Sequence, residues 1–127
     1  MTAAYDAGAL MGAAAGDRRL WVNHRARLES GMVPVTTAPV VAQVSRSPRQ
    51  VQLRRFLQGC DIVPMTGGDA HPVGPLLAAS GTSDVVDAHL VHAAVAEGVA
   101  TILTSDPGDI ARLVAELGLR GIQIHGV

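Results

Sequence analysis

The spacing of apolar and polar residues changes character several times along the chain, and each change marks an expected element. Ala3 to Tyr5 read as a short strand ending at Asp6, which can cap a helix of small residues running to about Gly16. Residues 17–30 carry Leu20, Trp21, His24 and Leu28 on one helical face, with Arg18, Arg19, Arg25 and Arg27 on the others. Val33–Val35 suggest a strand, and Thr37 followed by Pro39 opens a helix through Val40, Val41 and Val44. Ser47 with Pro48 in the first turn predicts a helix to Gly59, and Asp61–Met65 a strand. Gly67 and Gly68 suggest a turn before a helical stretch from Asp69 to Ala79, broken near Pro72 and Pro75. Ser83 is the expected cap of a long helix, DVVDAHLVHAAVAEG, apolar around most of its circumference and therefore central. A strand at Ala100–Leu103, a helix after Ser105-Asp106-Pro107 stopped by Gly118, and a strand at Ile122–Ile124 complete the pattern. Strands alternating with helices imply a parallel α/β sheet flanked by helices, because parallel strands need crossover connections.

That topology gives the acids a meaning. Ligands bind beyond the carboxyl ends of parallel strands, and Asp6 and Asp106 both follow strands and are expected at that edge. Asp84 and Asp87 project from the first turn of the central helix, and Asp109 from the first turn of the next. Helix capping accounts for any one of these residues. It does not predict that separate elements aim carboxylates at one edge, where they repel unless a cation neutralises them. Hard oxygen donors around an open crevice suit Mg²⁺ or Mn²⁺, which can activate water and stabilise a phosphoryl transition state.

Composition narrows the chemistry further. The 127 residues are 48% hydrophobic with a net charge of −1, which suits one globular domain spanning 1–127. All ten basic residues are arginine, which removes Schiff-base, P-loop and receiver-domain lysine mechanisms. The near-even net charge hides an asymmetry: residues 1–60 sum to +5 and residues 61–127 to −6. Arg18, Arg19, Arg25, Arg27, Arg46, Arg49, Arg54 and Arg55 would form a basic rim beside an acidic crevice, suited to a nucleic-acid backbone. Only Tyr5, Trp21 and Phe56 are aromatic, too few for a base-stacking platform. Cys60 is a lone small residue, His24 a core histidine, and the His89/His92 pair suits packing or surface roles better than zinc. One cysteine, no apolar run of membrane-spanning length and no basic segment before Asp6 lead us to expect a cytoplasmic protein with no membrane partner.

The order of these motifs resembles a PIN domain over nearly the whole chain: a small apolar strand then Asp6, Thr-Thr-Ala-Pro-Val-Val-Ala-Gln43, Asp84-Val-Val-Asp87-Ala-His, and Thr104-Ser105-Asp106-Pro-Gly-Asp109. The length is similar to that of the VapC-type toxins of bacterial toxin–antitoxin pairs. The resemblance implies a PIN-like three-layer α/β/α fold with a short parallel sheet. It implies an endoribonuclease in which Asp6, Asp87 and Asp106 are the principal acids and hold Mg²⁺ or Mn²⁺. Asp84 and Asp109 would support them, and Thr104 or Ser105 would orient a carboxylate or water. It further implies a VapB-like antitoxin lying across the N-terminal helices, a homodimer, and an RNA substrate such as tRNA or ribosomal RNA. Ala-rich residues 9–15 and the Leu20/Trp21/Leu28 stripe are more apolar than one small core needs and could meet such a partner, although core packing accounts for most of them. The family usually places a glutamate where this chain has Gln43, whose amide can accept a hydrogen bond or ligate weakly but brings no charge. That departure leaves open a catalytically weakened module that binds RNA or antitoxin without cleavage.

Overall fold

The structure, a computed structural model, describes residues 2–82, 84–118 and 121–127. Five strands alternate with seven helices in the order β1 (Ala3–Tyr5), α1 (Ala7–Ala14), α2 (Arg18–Glu29), β2 (Val35–Thr37), α3 (Ala38–Val44), α4 (Val51–Gln58), β3 (Asp61–Val63), α5 (Gly67–Ser80), α6 (Val85–Ala96), β4 (Thr101–Thr104), α7 (Pro107–Glu116) and β5 (Gln123–Gly126). All pairings are parallel and the strand order is β3-β2-β1-β4-β5, so the expected α/β class and PIN-like arrangement hold. Strand β1 is central and wholly buried, which is why it consists of Ala3, Ala4 and Tyr5 with no outward polar position.

Side chains alternate across the sheet, and this sorts the layers. Tyr5 faces α2 and α4, where its ring meets His24 and Phe56 at 5.7 and 5.1 Å between centroids. His24 stacks on Phe56 at 3.9 Å, and its Nδ1 lies 2.9 Å from the Tyr5 hydroxyl, which confirms His24 as a bonded core histidine. Burial pushes the Tyr5 phenol up to about 12 and lowers the His24 imidazole. On the other face α6 packs against β1 and β2 and is flanked by α5 and α7. Its buried Ala88, His89, Leu90, Val91, Ala93 and Ala94 explain why apolar residues surround the helix.

Several boundaries differ from expectation for identifiable reasons. Strand β2 begins at Val35 and runs through Thr36 and Thr37, whereas Val33 is half exposed outside it. Thr36 Oγ1 donates to the Tyr5 carbonyl, tying the strand to β1. Helix α4 starts at Val51 because the Ser47 hydroxyl and Gln50 amide oxygen are used on the backbone N–H groups of residues 46, 47 and 49, a local alternative to a helix start. Strand β3 stops at Val63. Gly67 and Gly68 belong to α5, which opens with a reciprocal cap between Thr66 and Asp69 and runs through both prolines. Pro72 and Pro75 lie on the exposed side, where carbonyls freed of partners meet water, while Val73 and Leu76 anchor the helix from below. Ser83, the expected cap of α6, lies outside the described residues, and Asp84 is the residue whose side chain caps the helix. Strand β4 reaches Thr104, and β5 spans Gln123–Gly126. No helix among the described residues is long and apolar enough to cross a membrane.

Candidate functional site

Because the strands are only three or four residues long, helix caps fall almost directly on the carboxyl edge of the sheet. Asp6 follows β1 and caps α1, Thr37 ends β2 and caps α3, and Asp106 caps α7 two residues after β4. Asp84 caps α6, which packs on β1 and β2. Four helix N-termini and three of the five acids are therefore supplied by capping alone, and the arrangement of the sheet brings them to one side.

Asp6 is the most constrained of the set. Only 4% of it is exposed, and its oxygens accept three hydrogen bonds. The Ala9 N–H donates to Oδ1 at 2.8 Å; the Thr104 hydroxyl and the Ser105 N–H donate to Oδ2 at 2.5 and 3.2 Å. A buried carboxylate that accepts from three donors is fixed in orientation. Thr104, fully buried, also accepts the Asp106 N–H at 2.8 Å through the same oxygen. One hydroxyl thus links the Asp6 carboxylate, just after β1, to the backbone of Asp106 after β4. Ser105 contributes its backbone N–H, and its side chain is exposed.

Asp87 records the proximity of the other acids. Burial, then the charges of Asp84, Asp6 and Asp106, push its carboxyl up to about 7, and the Asp84 carboxylate is near enough to share its proton. Asp84 accepts the Asp87 N–H at 3.0 Å as the cap of α6. The structure thus brings Asp6, Asp84, Asp87 and Asp106 into one electrostatic unit. The Asp109 N–H donates to Asp106 Oδ1 in the cap of α7, while its carboxylate pairs with Arg112 one turn along the helix. Gln43 is exposed on α3 beside the buried Val44, and its side chain makes no hydrogen bond among the described residues.

Repulsion of this kind makes a prediction about stability. Below about pH 4 Asp87 is protonated whether the chain is folded or not. Between about pH 4 and 7 the unfolded chain releases a proton that the folded chain retains, so folding stability falls across that window and stays low above it. His24 and His89 act in the opposite sense: burial lowers both, so the stability they carry is present above their ordinary value near 6.5 and is lost on acidification. In metal-free protein Asp87→Asn should therefore melt higher than the parent at pH 8 and almost equally at pH 4. Solvent screening at a half-buried carboxyl reduces the gain to roughly 1–2 kcal/mol, or about 3–8 °C. Thermal unfolding with chelator at the two pH values checks this, and equal melting at pH 8 would contradict it.

The chemistry of the donor set fits a hard divalent cation. The negative charges that raise the Asp87 carboxyl would be neutralised by a cation as well as by a proton. Among the described residues no three His, Cys, Asp or Glu side chains are grouped closely enough to hold a metal ion by themselves.

Three features escaped the sequence reading. Gly8 sits against Ser105, a contact between positions far apart in the chain. Asp69 lies 3.7 Å from His89 Nε2 and 3.5 Å from His92 Nε2, and the Thr66-x-x-Asp69 spacing was the available signal for that start of α5. His89 is buried, consistent with packing, and its Nδ1 has no partner among the described residues. A cleft of about 540 Å³ also lies between α2 and the β4–β5 face, lined by Asp17, Arg19, Arg27, Leu103 and His125 and by none of Asp6, Asp84, Asp87, Asp106 or Asp109. The eight arginines of the first half are exposed except for the partly buried Arg27, which donates to the Tyr5 hydroxyl. Among the described residues none of the eight forms an ion pair.

No family model matches the sequence, and no curated protein matches it. Among solved structures the chain is similar to a chain of the VapBC2 crystal structure from Rickettsia felis, bound to a DNA fragment from their promoter. The TM-score is 0.68 at 16% identity, covering 100% of this chain and 99% of that one. At that identity the likeness is one of architecture, and the chain has the PIN-like α/β fold that its acid-bearing sheet edge had already outlined.

Proposed function

We propose that the protein is a Mg²⁺- or Mn²⁺-dependent endoribonuclease acting as the toxin of a type II toxin–antitoxin pair. The observation that carries this reading is the buried, three-times-bonded Asp6 carboxylate, tied through Thr104 to the backbone of Asp106, with the half-buried Asp87 raised by burial and by the charges of Asp84 and of both. Asp6, Asp87 and Asp106 would hold the ion. When bound, such an ion supplies an activated water and neutralises charge on a phosphodiester in its transition state. The residues of the chain supply the geometry. Thr104 and the Ser105 N–H fix Asp6, the Asp6 carboxylate in turn fixes the loop that carries Asp106, and Asp84 holds the first turn of α6 so that Asp87 faces both. Asp109, paired with Arg112, steadies the start of α7. The exposed arginines on α2 and α4 are suited to grip an RNA backbone by charge alone, so binding should weaken steeply with salt.

An antitoxin of VapB type is the proposed protein partner, and exposed Met11 and Val22 on α1 and α2 offer it apolar contact. A homodimer is proposed on the resemblance. Incubating the purified protein with tRNA and ribosomal RNA, with Mn²⁺ or chelator, and mapping the new 5′ ends tests the activity. Discrete cuts only with Mn²⁺ are expected.

A binding-only reading is favoured by the uncharged Gln43, and absence of any cleavage of structured RNA at excess Mn²⁺ would decide for it; a substitution tests separately whether Gln43 belongs to the site. If Gln43 lies beside the acids, Gln43→Glu adds a carboxylate to the set. The variant should be less stable without metal and recover more on adding Mn²⁺, because a ligand bound only by the native state shifts unfolding by mass action. A several-fold lower Mn²⁺ concentration at half-maximal thermal shift is expected. Superimposable titrations would place Gln43 outside the site.

A further inference from the structure

We propose that Gly8 is a positioning residue for the acidic edge: by lacking a Cβ it lets the loop after β4 settle onto the first turn of α1, which brings the Ser105 N–H onto Asp6. For its catalytic consequence the inference rests on the function proposed above; for its geometry it does not.

Helix α1 reads AGALMGAA and begins one residue before Gly8. Glycine is a poor helix former where alanine would serve, so its presence at the second helical position calls for a reason. Conformation does not provide one, since Gly8 is not among the glycines with positive φ. Space does. A Cβ built on Gly8 would overlap both the Cβ and the Oγ of Ser105 and would stand 3.1 Å from the Ser105 backbone nitrogen. Rotating the serine hydroxyl away removes only one of these conflicts, because a Cβ moves only with its backbone. Gly12 on the same helix is a useful contrast: its Cβ would meet Leu20 Cδ1 at 2.6 Å, the far end of a flexible side chain that can give way.

Ser105 is the point at which the loop is held. Its N–H donates to Asp6 Oδ2, the Thr104 hydroxyl beside it donates to the same oxygen, and that hydroxyl accepts the Asp106 N–H. Lifting Ser105 off α1 therefore lengthens the hydrogen bond to Asp6 first and then disturbs the link that sets Asp106 relative to Asp6. The atoms nearest to a Cβ on Gly8 are all those of Ser105, so its effect on the carboxylates passes through that residue's backbone.

Amide hydrogen exchange at residue 105 reads the docking directly. In Gly8→Ala the protection of that amide should fall about tenfold or more, even though alanine favours the helix itself. Combining Gly8→Ala with Ser105→Gly removes the opposing Cβ, and protection should return to the level of Ser105→Gly alone. The Gly8→Ala/Ser105→Ala pair keeps the opposing Cβ and should remain as unprotected as Gly8→Ala. Cleavage at saturating Mn²⁺ should follow the same order, with a loss on the order of a hundredfold for an ångström-scale displacement. Protection unchanged in Gly8→Ala, or not regained with Ser105→Gly, overturns the proposal. If Gly8→Ala does not fold, a folded Gly8→Ala/Ser105→Gly protein with protection equal to Ser105→Gly supports it and an unfolded one overturns it. Should the parent protein cleave no RNA at all, the proposed function fails while the exchange measurement still decides the role of Gly8.

Discussion

Asp6→Asn is expected to lower RNA cleavage by about two to four orders of magnitude while leaving a folded protein. The substitution preserves shape but not hydrogen-bonding capacity. Asp6 accepts from donors on both of its oxygens, and an asparagine has one acceptor and one donor at those positions. If its oxygen meets Ala9, the amide group confronts the Thr104 hydroxyl and the Ser105 N–H; if it turns over, it confronts Ala9. Either way one side of the grip is lost, at a cost of about 1–3 kcal/mol. The loss of a negative charge beside Asp87 works in the opposite direction, so the change in melting temperature should be small. The activity change should not be, because the negative charge is lost in either orientation of the amide. Single-turnover cleavage with excess Mn²⁺ measures this, and a fully active Asp6→Asn protein would remove the carboxylate edge from the mechanism.

Phe56→Ala carries the largest expected loss of stability, about 3–5 kcal/mol. Phe56 is fully buried, stacked on His24 and edge-on to Trp21 at 5.1 Å, with Tyr5 at the same centroid distance. Its ring separates α2 and α4 from the strand that delivers Asp6. Removing it leaves a cavity beside the Tyr5–His24 hydrogen bond, a polar pair that depends on exclusion of water. Against a total of about 5–15 kcal/mol for a domain of this kind, the variant should be partly unfolded at 37 °C. Urea unfolding quantifies it, and a loss below about 1 kcal/mol would show that the aromatic cluster is peripheral.

The sequence made the order of elements legible because the caps are written in it. Asp6, Thr37 and Asp106 each follow a short apolar run, and each starts a helix as its residue type requires. What hydrogen-bond chemistry made ambiguous came out differently. Ser47 looked like a cap but holds a turn, and Gly67-Gly68 looked like a turn but begins a helix closed by Thr66 and Asp69. Pro72 and Pro75 suggested a break, since a one-dimensional pattern does not reveal that both freed carbonyls would face water. At the site, Asp6, Asp84, Asp87 and Asp106 were legible through topology. The Arg112 partner of Asp109 and the exposure of Gln43 were not, since each depends on which way a helix face turns. Gly8 was invisible for a different reason: its partner, Ser105, is a contact of sheet order between β1 and β4 rather than of local sequence.

Paramagnetic broadening of backbone amides by Mn²⁺ tests most directly whether these carboxylates are a cation site. At substoichiometric Mn²⁺ the account predicts loss of signal first at residues flanking Asp6, Asp87 and Asp106, including the amides of Ala9 and Ser105, and removal of that pattern in Asp6→Asn. Broadening that begins instead around Asp69, His89 and His92, or that spreads evenly over all exposed acids, would contradict it.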